Sequence, residues 1–324
     1  MQTSNRIGGL VVTLCTACGF FLVTPAAQAL TIIPTFSSSL STSQQATIDS
    51  AISVYGQDFS NPITVSIGFS TASGVSYAGQ SESSFNLNSY SAYTSALAGD
   101  AATNGNTIEQ TAYNNLQYGN TAGYVLATTA DLRALGCTTC GGQLTTSGSS
   151  GGNLDGVITV NTADFTVAVI QHETDEVLGI GGSGSVLNTV VSDGGTLPTY
   201  HGQTYIHPLD LFRYSGVHTA SLTTSGTATS YFSYNGGVTD IANFNQNSSG
   251  DYGDWTGSPC YVQSWQVCSP SLSIGSSSPE GIALQSIGYD AVAPVPLPGS
   301  LVLLTSGLFG LVISGRRRKH RHHL

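Results

Sequence analysis

Gln171-His172-Glu173-Thr174-Asp175-Glu176-Val177-Leu178-Gly179-Ile180-Gly181-Gly182 is the stretch on which the reading of the whole chain turns. Its spacing predicts a helix. His172 and Glu176 stand four apart, so they share one face and lie one turn from each other. Glu173 sits beside them on the adjoining side. Gly179, Gly181 and Gly182 can end the helix, because glycine takes the left-handed conformation of a C-terminal cap. This is the pattern of the His-Glu-x-x-His zinc-binding helix, with a glutamate at the second ligand position. A carboxylate there still binds Zn²⁺, at roughly 2.0–2.2 Å. His172 and Glu176 are therefore candidate metal ligands and Glu173 a candidate general base. The competing reading is a solvated acidic face with one surface histidine. The background favours chemistry: the chain has five glutamates, and two of them flank His172.

Working outward, Asp155 to Asn161 (Gly156, Val157, Ile158, Thr159, Val160) reads as a strand, and a helix is expected from about Phe165 to Leu178. Thr162 or Asp164 is its expected cap. The first half, Val167-Ala168-Val169-Ile170, is apolar on every side, as in a helix buried in a core. An acidic cluster at the end of a buried helix is costly unless a cation or hydrogen bonds compensate it. A catalytic zinc site takes three protein ligands and a water. For the third ligand, His207 and Asp210 in Tyr205-Ile206-His207-Pro208-Leu209-Asp210-Leu211-Phe212-Arg213-Tyr214 are the nearest in kind, with His201 next. Each of them would serve equally as a polar loop residue. Asp251, Asp254 and Trp255, in Asp-Tyr-Gly-Asp-Trp, offer loop oxygens for a possible Ca²⁺ site or for an Asx-turn.

The remaining elements are read in order. Thr31 to Phe36 and Pro62 to Phe69 read as strands, the second with strict alternation. Thr42 to Tyr55 reads as a helix, with Ala46, Ile48, Ala51, Ile52 and Tyr55 at helical spacing and Thr42 or Ser43 as the expected cap. Further helices are expected over Ser89 to Asp100, Glu109 to Leu116 and Glu280 to Tyr289, and short strands over Gly123 to Leu126 and Ser230 to Tyr234. The part after Gly181 reads as mostly irregular.

Charge is distributed unevenly. All 18 acidic residues lie between Asp49 and Asp290, where only Arg133 and Arg213 are basic. Such a body repels nucleic acid and anionic lipid, so no nucleic-acid partner is expected; divalent cations are attracted. Residues 1–29 have the form of a signal peptide: Arg6, an apolar run from Gly8 to Val23, and the small-x-small site Ala27-Gln28-Ala29. The mature chain then holds four cysteines. Cys137–Cys140 and Cys260–Cys268 are expected to pair locally in an oxidising compartment.

Residues 294–324 change character. Val295-Pro296-Leu297-Pro298-Gly299-Ser300 precedes an apolar run, Leu301 to Ile313, and then Arg316-Arg317-Arg318-Lys319. This resembles the PEP-CTERM sorting signal. The resemblance implies export by a Gram-negative bacterium, transient membrane anchoring by a short C-terminal transmembrane helix, and processing by an exosortase-type enzyme to the cell surface or extracellular matrix. The plain alternative is a permanent C-terminal anchor.

The helix resembles the HExxHxxGxxH signature of the metzincin metallopeptidases, with Gly179 in register. Glu176 replaces the second histidine and Gly182 the third. Phe212-x-Tyr214 resembles the metzincin Met-turn, although the mature chain has no methionine. In some metzincins the tyrosine two after the methionine binds the metal or the intermediate, which makes Tyr214 a candidate catalytic residue. Together with the Asp-Tyr-Gly-Asp-Trp loop, residues 30–290 are similar to a family of exported bacterial metallopeptidases with HExxE. That likeness implies an α+β, zincin-like domain: a twisted mixed sheet, an active-site helix packed on it, and an irregular C-terminal half. The function implied is zinc-dependent cleavage of a protein or peptide substrate outside the inner membrane. The strand Gly156 to Asn161 is the expected edge for an extended substrate. The alternative is a non-catalytic surface or biofilm-matrix protein that keeps the fold.

Overall fold

The computed structural model describes residues 29–117, 122–142, 144, 153–192 and 196–293. The signal-peptide and sorting-signal expectations, residues 1–29 and 294–324, fall almost wholly outside them. No helix of the described residues is long and apolar enough to cross a membrane.

The chain belongs to the α+β class. The first sheet runs β1 (Thr31–Phe36), β2 (Thr64–Ala72), β6 (Gly156–Asn161), β3 (Gly79–Ser83) in spatial order. The first three strands are parallel and β3 is antiparallel to β6. In β2 the buried positions Val65, Ile67 and Phe69 alternate with more exposed ones, as a sheet covered chiefly on one face requires. Strand β6 is hydrogen-bonded on both sides, by β2 and β3, and has no free edge. The outer strand beside the site is β3.

Helix α1 (Thr42–Asp58) is capped by Ser41, not Thr42 or Ser43; Ser41 and Gln44 form a reciprocal capping box. Its buried stripe, Ile48, Ala51, Ile52 and Tyr55, faces the core. Helix α5 (Val167–Leu178) follows β6 and packs on α1 and β3. Polar groups lock α1 to α5. Tyr55 Oη donates to Asp175 Oδ1 at 2.8 Å, and Gln171 Nε2 donates to the Ala51 carbonyl at 3.0 Å.

A second sheet has the order β4 (Phe85–Ser89), β5 (Tyr124–Thr128), β8 (Gln203–Ile206), β7 (Thr199–Tyr200). Helices α2 (Tyr90–Asn104) and α4 (Thr129–Ala134) pack on it, and α3 (Thr107–Asn114) packs on α2. The C-terminal half is less irregular than expected. Short strands β10 (Thr219–Ala220), β9 (Arg213–Gly216), β11 (Tyr231–Phe232), β12 (Ala242–Phe244) and β13 (Trp255–Thr256) form a third sheet. Its centre is Trp255, packed on Phe232 and Phe244, with the Arg213 guanidinium 3.9 Å above the Phe244 ring. Helix α6 (Leu187–Ser192) and helix α7 (Pro279–Ser286) complete the chain. Both expected cysteine pairs lie at disulfide distance, with Cα separations of 5.6 Å for Cys137–Cys140 and 6.2 Å for Cys260–Cys268.

Candidate functional site

Helix α5 starts at Thr166, whose hydroxyl accepts from the Val169 N–H, and not at Thr162 or Asp164. It stops at Gly179, which is left-handed with φ 115°. Between these caps the helix presents His172, Glu173 and Glu176 to a cleft of about 790 Å³. That volume is within the range of small-ligand and active-site pockets.

His172 donates from Nδ1 to the Val262 carbonyl at 3.0 Å. This fixes the tautomer and leaves the Nε2 lone pair facing the cleft. Glu176 Oε1 lies 4.0 Å from Nε2 and Asp254 Oδ2 lies 3.6 Å from it. His172, Glu176 and Asp254 each offer a ligand atom, all within 4.8 Å of one another. One nitrogen and two carboxylates suit a zinc ion. The carboxylates are oriented from behind. Glu176 Oε1 accepts from the Gly182 N–H at 2.9 Å, and its other oxygen accepts from Ser81 on β3. Asp254 Oδ1 accepts from the Gln263 amide at 2.9 Å.

Two close approaches build this geometry. A Cβ on Gly253 would lie 1.8 Å from the Gly181 carbonyl oxygen, so only glycine lets the loop carrying Asp254 settle on the chain that follows α5. A Cβ on Gly182 would lie 2.6 Å from Glu176 Oε1. Position 182, where the resemblance would place a third histidine, is a glycine whose N–H orients Glu176.

The electrostatics ask for a cation. Burial pushes the carboxyls of Glu173 and Asp254 well above their ordinary range and also raises Glu176. Burial alone would lower His172. Asp254, Glu173 and Glu176 outweigh it and hold the imidazole at about 10. Yet the Gln263 amide nitrogen, a donor, approaches Nε2 at 3.2 Å, which calls for a lone pair there. A metal ion would supply the positive charge and take that lone pair in place of the amide, which would then have to turn its oxygen toward the ion.

Glu173 is 5% exposed and lines the cleft without belonging to the ligand trio. Its carboxylate lies against the backbone of Gly79, where a Cβ would come within 2.4 Å of Oε1.

No family model, no curated protein and no solved structure matches the chain. The functional reading therefore stands on the geometry of the site.

That geometry corrects several expectations. His207 and Asp210 do not join His172 and Glu176. His207 Nδ1 donates to the Ser183 carbonyl at 2.8 Å. Asp210 accepts from Ser185 Oγ at 2.7 Å, the Val186 N–H at 2.8 Å and the His207 N–H at 3.0 Å. It pins a turn and has no role at the cluster. His201 is an exposed turn residue with φ 49°, its ring 4.1 Å from that of Tyr200. Tyr214 donates to the Asn115 carbonyl at 3.0 Å and lies outside the cleft lining, so it is a buried tyrosine of the third sheet and touches no reacting group. Asp251 and Trp255 do not form a separate Ca²⁺ cage with Asp254. Asp251 accepts from Asn188 and Trp255 packs in the core, while Asp254 turns to His172.

Sequence reasoning missed Gln263 and Val262. Both lie inside the Cys260–Cys268 loop, and that bracket of cysteines was the one available signal.

Proposed function

We propose that the chain is a zincin-like, metal-dependent peptidase in which His172, Glu176 and Asp254 hold zinc and Glu173 is the general base. The observation that carries this reading is the convergence of Asp254 on the His172–Glu176 helix, with Glu173 beside the trio in an open cleft. Bound zinc would polarise the scissile carbonyl and lower the pKa of an attacking water. The chain's own residues supply the rest. Burial and Glu176 raise the Glu173 carboxyl, which suits it to take a proton from water and return it to the leaving amine. The Val262 carbonyl keeps His172 in the ligating tautomer, and Ser81 with Gly182 keeps Glu176 in place.

The zincin-like reading of the fold is supported by three parallel strands, an antiparallel outer strand beside the cleft, and the motif helix packed on that strand. Extended substrate would add to β3, because β6 is paired on both sides. Gly79 and Ser81 of β3 line the cleft, which suits a peptide running along it. Export, with removal of residues 1–29 and processing of the 294–324 tail by an exosortase-type enzyme, completes the proposal. The two disulfide-distance pairs are compatible with it.

One feature favours the alternative of a non-catalytic surface protein. Two carboxylates on the ion neutralise its charge and weaken it as a Lewis acid.

The test pairs metal content with cleavage of an unfolded protein substrate. Asp254→Asn should lose metal and activity together, whereas His207→Ala should keep metal. Glu173→Gln should keep metal and lose about 10²–10⁴ in rate. Metal retained in Asp254→Asn would remove Asp254 from the site. No cleavage by metal-loaded wild type across a broad peptide library would favour the surface-protein reading.

A further inference from the structure

A second group of carboxylates lies away from the cleft, where three separate elements meet. Asp100 comes from α2, Glu109 from α3 and Asp290 from the chain just after α7. Each offers an oxygen, all within 4.8 Å of one another. Proximity alone would mean little, since acidic groups often cluster in water. Here four of the six oxygens are out of water. Glu109 is 0% exposed. Both of its oxygens, together with Asp100 Oδ2 and Asp290 Oδ1, are buried and accept no hydrogen bond from a donor. Buried polar atoms of this kind are rare, and each one costs free energy unless something satisfies it.

The other two oxygens are held in place. The Asn104 amide donates to Asp100 Oδ1 at 2.9 Å and to Asp290 Oδ2 at 2.6 Å. One side chain thus orients both outer carboxylates and leaves their free oxygens turned toward Glu109. The Asp290 backbone is fixed separately, its N–H donating to Asn61 at 2.7 Å. Arg133 lines the neighbouring cavity, but its guanidinium is engaged 2.6 Å from Asp155. Burial, then Asp100 and Asp290, push Glu109 up to about 10. Without a cation, a proton shared with Asp100 is what remains to hold the group.

We infer that Asp100, Glu109 and Asp290 form a second cation site, specific for a hard divalent ion of the calcium class. The donor set is oxygen only, with no imidazole or thiolate, which suits Ca²⁺ and disfavours zinc. Glu109 can bind through one oxygen or two and Asp100 and Asp290 each offer one free oxygen, so the carboxylates supply three or four ligands and water completes the shell. The ion would tie α2 and α3 to the chain that follows α7, next to the bridge between Phe59 and Ala291. The inference does not depend on the peptidase reading, because none of these residues contributes to the His172 cluster.

The experiment uses the protein stripped with chelator and then titrated with calcium chloride near pH 7.5, read by calorimetry and by thermal melting. Zinc is kept saturating in one arm, so that the His172 site cannot account for the signal. One calcium should bind per chain. At about 100 times the dissociation constant it should raise Tm by about 5 °C or more. Glu109→Gln should lose both responses and melt no lower than wild type in chelator, because its neutral amide replaces a carboxyl that already holds a proton when no cation is bound. Asp290→Asn is the second variant, for the case in which position 109 does not tolerate exchange. Wild type with no calcium response, or a response that survives in both variants, would overturn the inference and leave a proton-sharing carboxyl cluster. His172→Ala should respond to calcium as wild type does.

Discussion

The side-chain amide nitrogen of Gln263 lies 3.2 Å from Nε2 of His172 and 2.9 Å from Oδ1 of Asp254, between two groups of the ligand trio. Its carbonyl oxygen is buried and accepts no hydrogen bond. The amide group therefore stands in for positive charge at the centre of an anionic cluster. Turned over, the same group offers its oxygen to a bound ion as a further ligand. Gln263→Leu keeps much of the volume and removes both functions. Its zinc affinity should fall about 10-fold or more, in the range seen when groups supporting metal ligands are removed. A competition titration against a chelator of known affinity measures this. Tighter binding in the variant would mean that the amide only competes with the ion.

Gly79 and Glu173 make a separate prediction. A methyl at position 79 would come within 2.4 Å of Glu173 Oε1 and 2.7 Å of its Cγ, so the glutamate must swing aside. The three atoms nearest that methyl all belong to Glu173. Gly79→Ala should therefore keep its metal and lose about 10²-fold in kcat/KM, as a displacement of about 1 Å at a catalytic group does. Unchanged turnover with unchanged metal would argue against Glu173 as the base.

Asp210 separates ligand from scaffold. Its two oxygens receive Ser185 Oγ, the Val186 N–H and the His207 N–H, all in a buried turn. Asp210→Ala strands these donors. The cost should be about 3 kcal/mol of stability, read from urea unfolding, since each buried unsatisfied group costs about 1–3 kcal/mol. Zinc content of the folded fraction should not change. Zinc loss without destabilisation would return Asp210 to the metal site.

Gln263, Gly79 and Asp210 mark the limit of what the sequence made readable. The His172–Glu176 helix was legible because a 3.6-residue period, an apolar first half and a glycine stop agree over one short stretch. Strands β1 and β2 were legible from the period of two, and β6 from its short β-branched run before the helix. Strands β3 and β4 were not, because Gly79 to Ser89 is rich in Ser and Asn and lacks an alternating apolar set. The third sheet is built from strands of two to four residues, too short to show any period. Asp254 escaped because nothing local ties it to His172. Its loop reaches the helix through tertiary contacts alone, among them Gly253 against Gly181 and Asp254 beside His172. His207 and Asp210 drew attention by residue type. The better signal was next to them: Pro208 at the first helical position and an acid at the third mark a helix start, with Asp210 returning to the His207 N–H.

The last prediction concerns pH and a carboxyl outside both cation sites. Asp131 is 0% exposed at the start of α4, and burial holds its pKa well above 3.8, against a lowering hydrogen bond from Tyr93 at 3.0 Å. Its Oδ1 accepts no hydrogen bond. The groups that face it are Tyr93, Glu109 and Tyr289, none of them cationic. In the unfolded chain the carboxyl ionises near its ordinary value, while in the fold it holds its proton longer. Its contribution is therefore fully present below about pH 4 and is lost as pH rises toward the folded pKa. Asp131→Asn keeps an acceptor for Tyr93 and removes the titration. The variant should equal or trail wild type near pH 3.5 and exceed it near pH 8. Other buried carboxyls, Asp175 among them, slope the same way in both proteins. The quantity to plot is therefore the difference in unfolding free energy between variant and wild type against pH. A flat difference would show that Asp131 has the same proton affinity folded and unfolded, and a falling one would reverse the sign assigned to its burial.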